Sequence, residues 1–352
     1  MKKVFIFILL AFFMLKPVRA EAVDYRDEIN SLTDNYGVDR EIAASLSFAD
    51  IVNYIKETVK EKIREPYILT LKLLGIVFIC SIAGTFSTEK NNNVTEAADI
   101  LCTFMMFVTL LQPFEKMSLM ISENLTAVKD FMSAFIPLYA AIATASGEIL
   151  TSAVYSGMFL SGLIFTANFC ISAVLPSLKA YYALIIANSV SMHIRLKSVC
   201  EFYIKSVKWI MRTIVSVICF FITLQTTVTR GNDNLAVKAG KLLAGSAIPV
   251  VGSALQDAVG SVYAGMESIK GFAGAAGTVT VVSIFLPSVV TVFLYWFSLN
   301  LLYMVSDMFD TAILSGCIKS FIDITELLLS VVILFIVLFV LSSTIMIGLT
   351  NG

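Results

Sequence analysis

The side chains able to do chemistry are few in this chain, and their spacing argues against most of it. There is one histidine, His193, and six scattered cysteines, Cys80, Cys102, Cys170, Cys200, Cys219 and Cys317, with no CxxC pair and no histidine partner. A zinc site, a thiol–disulfide motif or a disulfide framework would need clustered spacing. The cysteines therefore read as free thiols buried as small hydrophobes. No Walker loop, HExxH or GxSxG occurs, so no enzymatic activity, catalytic residue, metal or cofactor is expected. Lys+Arg 25 against Asp+Glu 26 gives a formal net charge of −1, which leaves no basic field for nucleic acid.

What remains is a handful of ionisable groups inside apolar sequence, where a charge is costly and by default functional. Lys179 follows Pro176 closely, Glu148 sits beside Gly147, and Asp99 lies near the end of an apolar block. Lys179 is expected to be a paired charge facing a bundle interior, near a pathway. Lys72 and Arg212 lie near the ends of their blocks and can snorkel. His193, at the end of its block, reads as an interfacial group rather than a proton relay.

The elements that must hold these groups are set by composition. Of 352 residues, 58% are hydrophobic and only 14% charged, against about 25% charged in an average soluble domain; the mean hydropathy is +0.86. A soluble globule could not hide that much apolar surface, and the apolar residues come in long blocks. The fold class is all-α, a polytopic membrane protein in a lipid bilayer. Lys2 and Lys3, an apolar run from Val4 to Leu15, and Ala20 before Glu21 read as a signal peptide over 1–20; an uncleaved anchor is the alternative. Residues 21–66 form a polar extracytoplasmic segment. Its second part is an amphipathic helix, with Ile51, Ile55, Val59 and Ile63 at four-residue steps among charges.

A two-helix membrane hairpin occupies 67–114, with spans at about 67–86 and 97–114, since about 20 apolar residues cross a bilayer core. A short mixed segment, 114–130, reads as interfacial. From there the chain repeats itself. Ala127-Val128-Lys129 recurs as Ala236-Val237-Lys238, and Ser133-Ala134-Phe135-Ile136-Pro137 as the shorter Ser246-Ala247-Ile248-Pro249. Val154-Tyr155-Ser156-Gly157-Met158 recurs as Val262-Tyr263-Ala264-Gly265-Met266, and Leu175-Pro176-Ser177 as Leu286-Pro287-Ser288. Ile204-Lys205-Ser206 and Ser216-Val217 return as Ile318-Lys319-Ser320 and Ser330-Val331. Matches in one order with little drift point to a duplication, a first membrane repeat over 125–230 and a second over 235–348.

Each copy has one plan. An apolar hairpin (131–165 and 242–275) precedes a proline-bearing span (166–193 and 277–304), then a polar connector and a last span (209–228 and 327–348). The prolines either shape the bundle or serve a gate. The second hairpin is Gly-rich, carrying Gly245, Gly252, Gly260, Gly265, Gly271 and Gly274 with Asp257, Glu267 and Lys270. It reads as re-entrant or cavity-lining, or as an amphipathic pair close-packed on the outer surface. The first connector holds Arg195, Lys197, Lys205, Lys208 and Arg212 against Glu201, a positive-inside signature for two copies in parallel orientation. The second connector resists this reading: it carries Asp307, Asp310, Asp323 and Glu326 against Lys319.

The stretch Ala239-Gly240-Lys241-Leu242-Leu243-Ala244-Gly245-Ser246-Ala247-Ile248-Pro249-Val250-Val251-Gly252 resembles the hallmark of the stage III sporulation protein AE family. Phe131 to Leu138, with Ala145-Ser146-Gly147 behind it, is similar to the family's other marker, from which the charged Glu148 departs. The resemblance implies a multi-pass protein of the mother-cell membrane around the forespore in endospore-forming bacteria. It also implies partners: the other stage III proteins encoded with it, namely a secretion-type ATPase, small membrane proteins and ring-forming proteins, and indirectly a forespore-side protein. Their assembly would be a transenvelope channel complex, with this chain as its permease-like component. Two parallel copies would leave a seam, lined by Pro137, Glu148, Lys179, Gly245, Pro249, Gly252 and Asp257. The competing expectations are a stand-alone ion-coupled secondary transporter and a purely structural membrane scaffold.

Overall fold

The computed structural model describes residues 33, 48–85, 92–145, 153, 155–190, 198–218, 220, 252–309 and 311–348. Among these no residue is in a strand, and the chain is a helical bundle. The helices are α1 (Phe48–Lys62), α2 (Arg64–Thr85), α3 (Asn92–Ala145), α4 (Leu160–Phe169), α5 (Leu175–Val190), α6 (198–218), α7 (Gly252–Met308) and α8 (Ala312–Gly348). Two π-helical turns, Tyr155–Phe159 and Cys170–Val174, lead into α4 and join it to α5. A π turn lodges one extra residue per turn and so accommodates the nearby Pro176 without ending the rod.

Five stretches are long and apolar enough to cross a membrane: Arg64–Ala83, Ile100–Ala145, Ser156–Asn188, Gly271–Met308 and Ile313–Val340. The chain is a multi-pass, all-α protein of the kind its composition demands. Several helices exceed a bilayer's needs. At 1.5 Å per residue the 54 residues of α3 run for about 81 Å and the 57 of α7 for about 86 Å, against a hydrocarbon core of about 30 Å. Such rods must tilt steeply or overrun the bilayer.

This length changes two expectations. The interfacial break at 114–130 does not form, because α3 passes through Pro113 and Pro137 without ending. Nor does a turn fall between Gly252 and Gly277, where α7 is continuous through its glycines and Pro287. A glycine within a helix costs about 1 kcal/mol, but at membrane depth an open backbone costs more, so the helix persists. The signal segment, Glu148, His193, Gly245, Pro249 and the rest of 242–251 lie outside the described residues.

Side-chain contacts set the directions. α3 and α7 are antiparallel, with Asn124 against Ser288 and Phe135 against Gly277. α7 and α8 form a hairpin closed by Thr311, whose N–H and hydroxyl both donate to the Ser306 carbonyl. Phe107 meets Phe321 and Phe135 meets Phe339, so α3 and α8 run parallel. α6 runs back along α4–α5, with Ile218 over Gly162, Met211 against Cys170 and Tyr203 stacked on Tyr181. α2 lies on the opposite flank, against α3 and α7. The core between them holds Phe107, Phe131, Phe135, Tyr139, Phe159, Phe285, Phe335 and Phe339, all essentially fully buried. Lipid is as apolar as these side chains, so interdigitation and polar cross-links hold the helices together.

Candidate functional site

The polar groups of the bundle gather at two places along the helices. At the first, Glu65 at the start of α2 accepts both a Lys116 ion pair at 2.5 Å and a longer hydrogen bond from the Tyr295 hydroxyl at 3.4 Å. One carboxylate therefore fixes α2, α3 and α7 at a common height. Lys208 of α6 pairs at 3.0 Å with Glu326 of α8, both about a quarter exposed, with Asp323 one turn away. The α7–α8 hairpin places Glu326 near the height of Tyr295, given Phe285 against Phe335 further along. Beside it the Ser177 hydroxyl donates to the Val174 carbonyl at 2.8 Å and lies 2.5 Å from the Tyr203 hydroxyl, which leaves Tyr203 to donate. Burial raises the Tyr203 phenol above its usual range, partly offset by its bond to Ser177, and burial likewise raises the Cys200 thiol.

The Lys208–Glu326 pair gives one carboxylate of the acidic second connector a partner in the basic first connector. In the sequence both residues are visible as charges, and the opposite signs of the two connectors are the signal of their pairing.

The second place is the middle of α3. Asn124 donates to the Ile284 carbonyl at 3.0 Å and to the Ser288 hydroxyl at 2.5 Å, on either side of Pro287. Next to it, on the outward face, Ser122, Glu123, Thr126, Ala127 and Asp130 form one polar surface stripe of α3. Glu123, Thr126 and Asp130 are exposed. At this height α7 reads Val281 to Val290 and α8 reads Leu327 to Val340, both strongly apolar. Neither Glu123 nor Asp130 has an ion-pair partner among the described residues.

Of the seven residues expected to line a seam, Pro137 and Lys179 are described with their side chains. Both are exposed, on α3 and on α5, and no hydrogen bond or ion pair links them. Lys179 does not face the interior as expected, because Leu178, Tyr181, Tyr182 and Ile185 take the inward side of α5. Gly252 and Asp257 lie in α7, their side chains outside the described set, as is that of Asp99 in α3. Cys80, Cys102, Cys170, Cys200 and Cys317 are buried, and none of them is in a disulfide among the described residues. The periodicity of α3 missed Asn124, Glu123 and Asp130, because they fall in a stretch that looked like a surface segment.

The model of the family described as stage III sporulation protein AE matches residues 38–350. No curated protein and no solved structure matches the chain.

Proposed function

The chain belongs to the stage III sporulation protein AE family, and from that premise we propose that it is the permease-like membrane component of the mother cell–forespore channel complex. The observation that carries this reading is the outward face of α3. Ser122, Glu123, Thr126 and Asp130 stand at a height where α7 and α8 are apolar. Lipid cannot solvate two carboxylates that have no ion-pair partner among the described residues, so in this reading that face meets water or another protein. A hydrated wall in an otherwise apolar bundle is what a passage requires.

In this reading the chain has no catalytic role and holds no cofactor. Energy and closure come from partners: the ATPase, the small membrane proteins and the ring-forming proteins encoded with it. A duplication over 125–230 and 235–348 is part of this proposal. Cys200 and Leu314, Ile204 and Ile318, and Met211 and Thr325 are pairs 114 residues apart, and all six side chains are buried. Lys208–Glu326 then ties one copy to the other. Pro137, Glu148, Gly245, Pro249, Gly252 and Asp257 remain the proposed lining, joined by Glu123 and Asp130, while Lys179 stands on the outer side of α5.

Deleting the gene and scoring heat-resistant spores tests the process, and reconstitution tests the activity. Purified chain alone in liposomes should move no solute, and addition of its partners should restore passage. Transport by the chain alone would make it a secondary transporter. Normal sporulation by a variant with Glu123, Asp130, Glu148 and Lys179 all neutralised would make it a scaffold.

A further inference from the structure

Both Leu-Pro-Ser elements lie inside continuous rods, and in both the serine hydroxyl is bonded to a side chain from another helix. Ser288 accepts from Asn124 of α3, and Ser177 meets Tyr203 of α6. The partners are unrelated in sequence position, so the arrangement is not a simple echo of the repeat. The bond made in common is between the hydroxyl after the proline and a neighbouring rod.

The chemistry at Pro287 is the more constrained. Proline has no N–H, so the Ser283 carbonyl four residues earlier loses its helical donor, and the ring crowds that turn. Asn124 bridges this weak point, with one amide nitrogen serving Ile284 before the proline and Ser288 after it. Bending of α7 at this turn would change the spacing of the Ile284 carbonyl and the Ser288 hydroxyl and so strain these two bonds. Ser288 is 1% exposed, and in that setting its hydroxyl is bonded to Asn124. On either side of this turn α7 contacts other rods: Phe285 packs against Phe335, and Tyr295 bonds to Glu65, which also pairs with Lys116.

We propose that Pro287 is a joint in α7 and that Asn124 is its latch, a positioning residue that sets the bend between the two ends of this rod. The latch stands on hydrogen bonds and burial, whatever crosses the membrane. Ser177–Tyr203, with the π turn Cys170–Val174 beside it, is the corresponding joint of the α4–α5 rod.

The test is hydrogen exchange of the full chain in nanodiscs, comparing wild type with Asn124→Leu, Asn124→Gln and Ser288→Ala. Two membrane-buried hydrogen bonds predict that Asn124→Leu raises exchange over 280–292 by about three- to tenfold. Exchange over 313–320 of α8, at the far end of the hairpin beside Thr311, should stay within about twofold, as distant sites are independent. Asn124→Gln, which keeps the donor, should recover most of the protection. Ser288→Ala should act in the same segment, and the double variant should be no worse than Asn124→Leu alone. Unchanged exchange over 280–292, or a rise spread evenly over α7 and α8, overturns the latch. If Asn124→Leu does not fold, Ser288→Ala with the same segment-specific readout decides. Sporulation by these variants reads the proposed function separately: raised local exchange with normal spore yield keeps the latch and denies it a part in passage.

Discussion

At the scale of single residues, the bundle is a set of apolar rods pinned by a few polar atoms, each of which is exposed to a direct test. Lys208 and Glu326 are about a quarter exposed, so their 3.0 Å pair contributes as a partly desolvated charged hydrogen bond, roughly 1.5–3 kcal/mol. Lys208→Glu or Glu326→Lys alone should lower the melting temperature in detergent and reduce spore yield. The charge-swapped double variant should recover much of both; failure to recover would deny the pairing. The native thiols give a second expectation. Burial raises the Cys200 pKa, so its thiolate is scarce at neutral pH, and the five described cysteines are all buried. A polar maleimide at pH 7 should leave these five unlabelled until the fold is opened. Of these residues, Lys208 and Glu326 were legible as charges and not as a pair, because a contact 118 positions apart has no local signature.

Between elements, packing in lipid depends on close approach, and at Gly277 α7 leaves no room for a Cβ against α3. A Cβ there would run into the Phe135 ring, which cannot swing aside, being buried and stacked between Phe131 and Tyr139. Gly277→Val should destabilise the bundle by about 1–3 kcal/mol through overpacking; pairing it with Phe135→Leu should recover part of the loss, measured as thermal stability in detergent. A neutral Gly277→Val would contradict the α3–α7 register. The sequence showed the helices of this region through their apolar blocks and prolines, because those signals are local. It did not show that α3 passes through 114–130, since Glu115, Lys116, Glu123 and Asp130 imitate a surface segment. Their helix is held by contacts from elsewhere, Glu65 to Lys116 and Ser288 to Asn124. For the same reason the glycines of 252–277 read as a broken hairpin, although neighbouring rods keep that stretch helical.

For the molecule as a whole, the membrane class and the sporulation family were both readable from the chain, the first from composition and the second from two motifs. The polar wall was not, because a face of α3 acquires meaning only when the register with α7 and α8 shows how apolar its surroundings are. The account therefore rests on where water reaches that wall. The direct measurement is single-cysteine accessibility in membranes, with a membrane-impermeant maleimide and with lipid-borne quenchers of an attached fluorophore. Thr126→Cys and Asp130→Cys should label readily from water, while Leu119→Cys and Phe293→Cys, exposed apolar sites 61% and 44% open, should be protected from the maleimide and quenched from lipid. If Thr126→Cys and Asp130→Cys are as silent as Leu119→Cys, no hydrated wall exists; if all four label from water, the bundle stands outside the bilayer and the passage is contradicted.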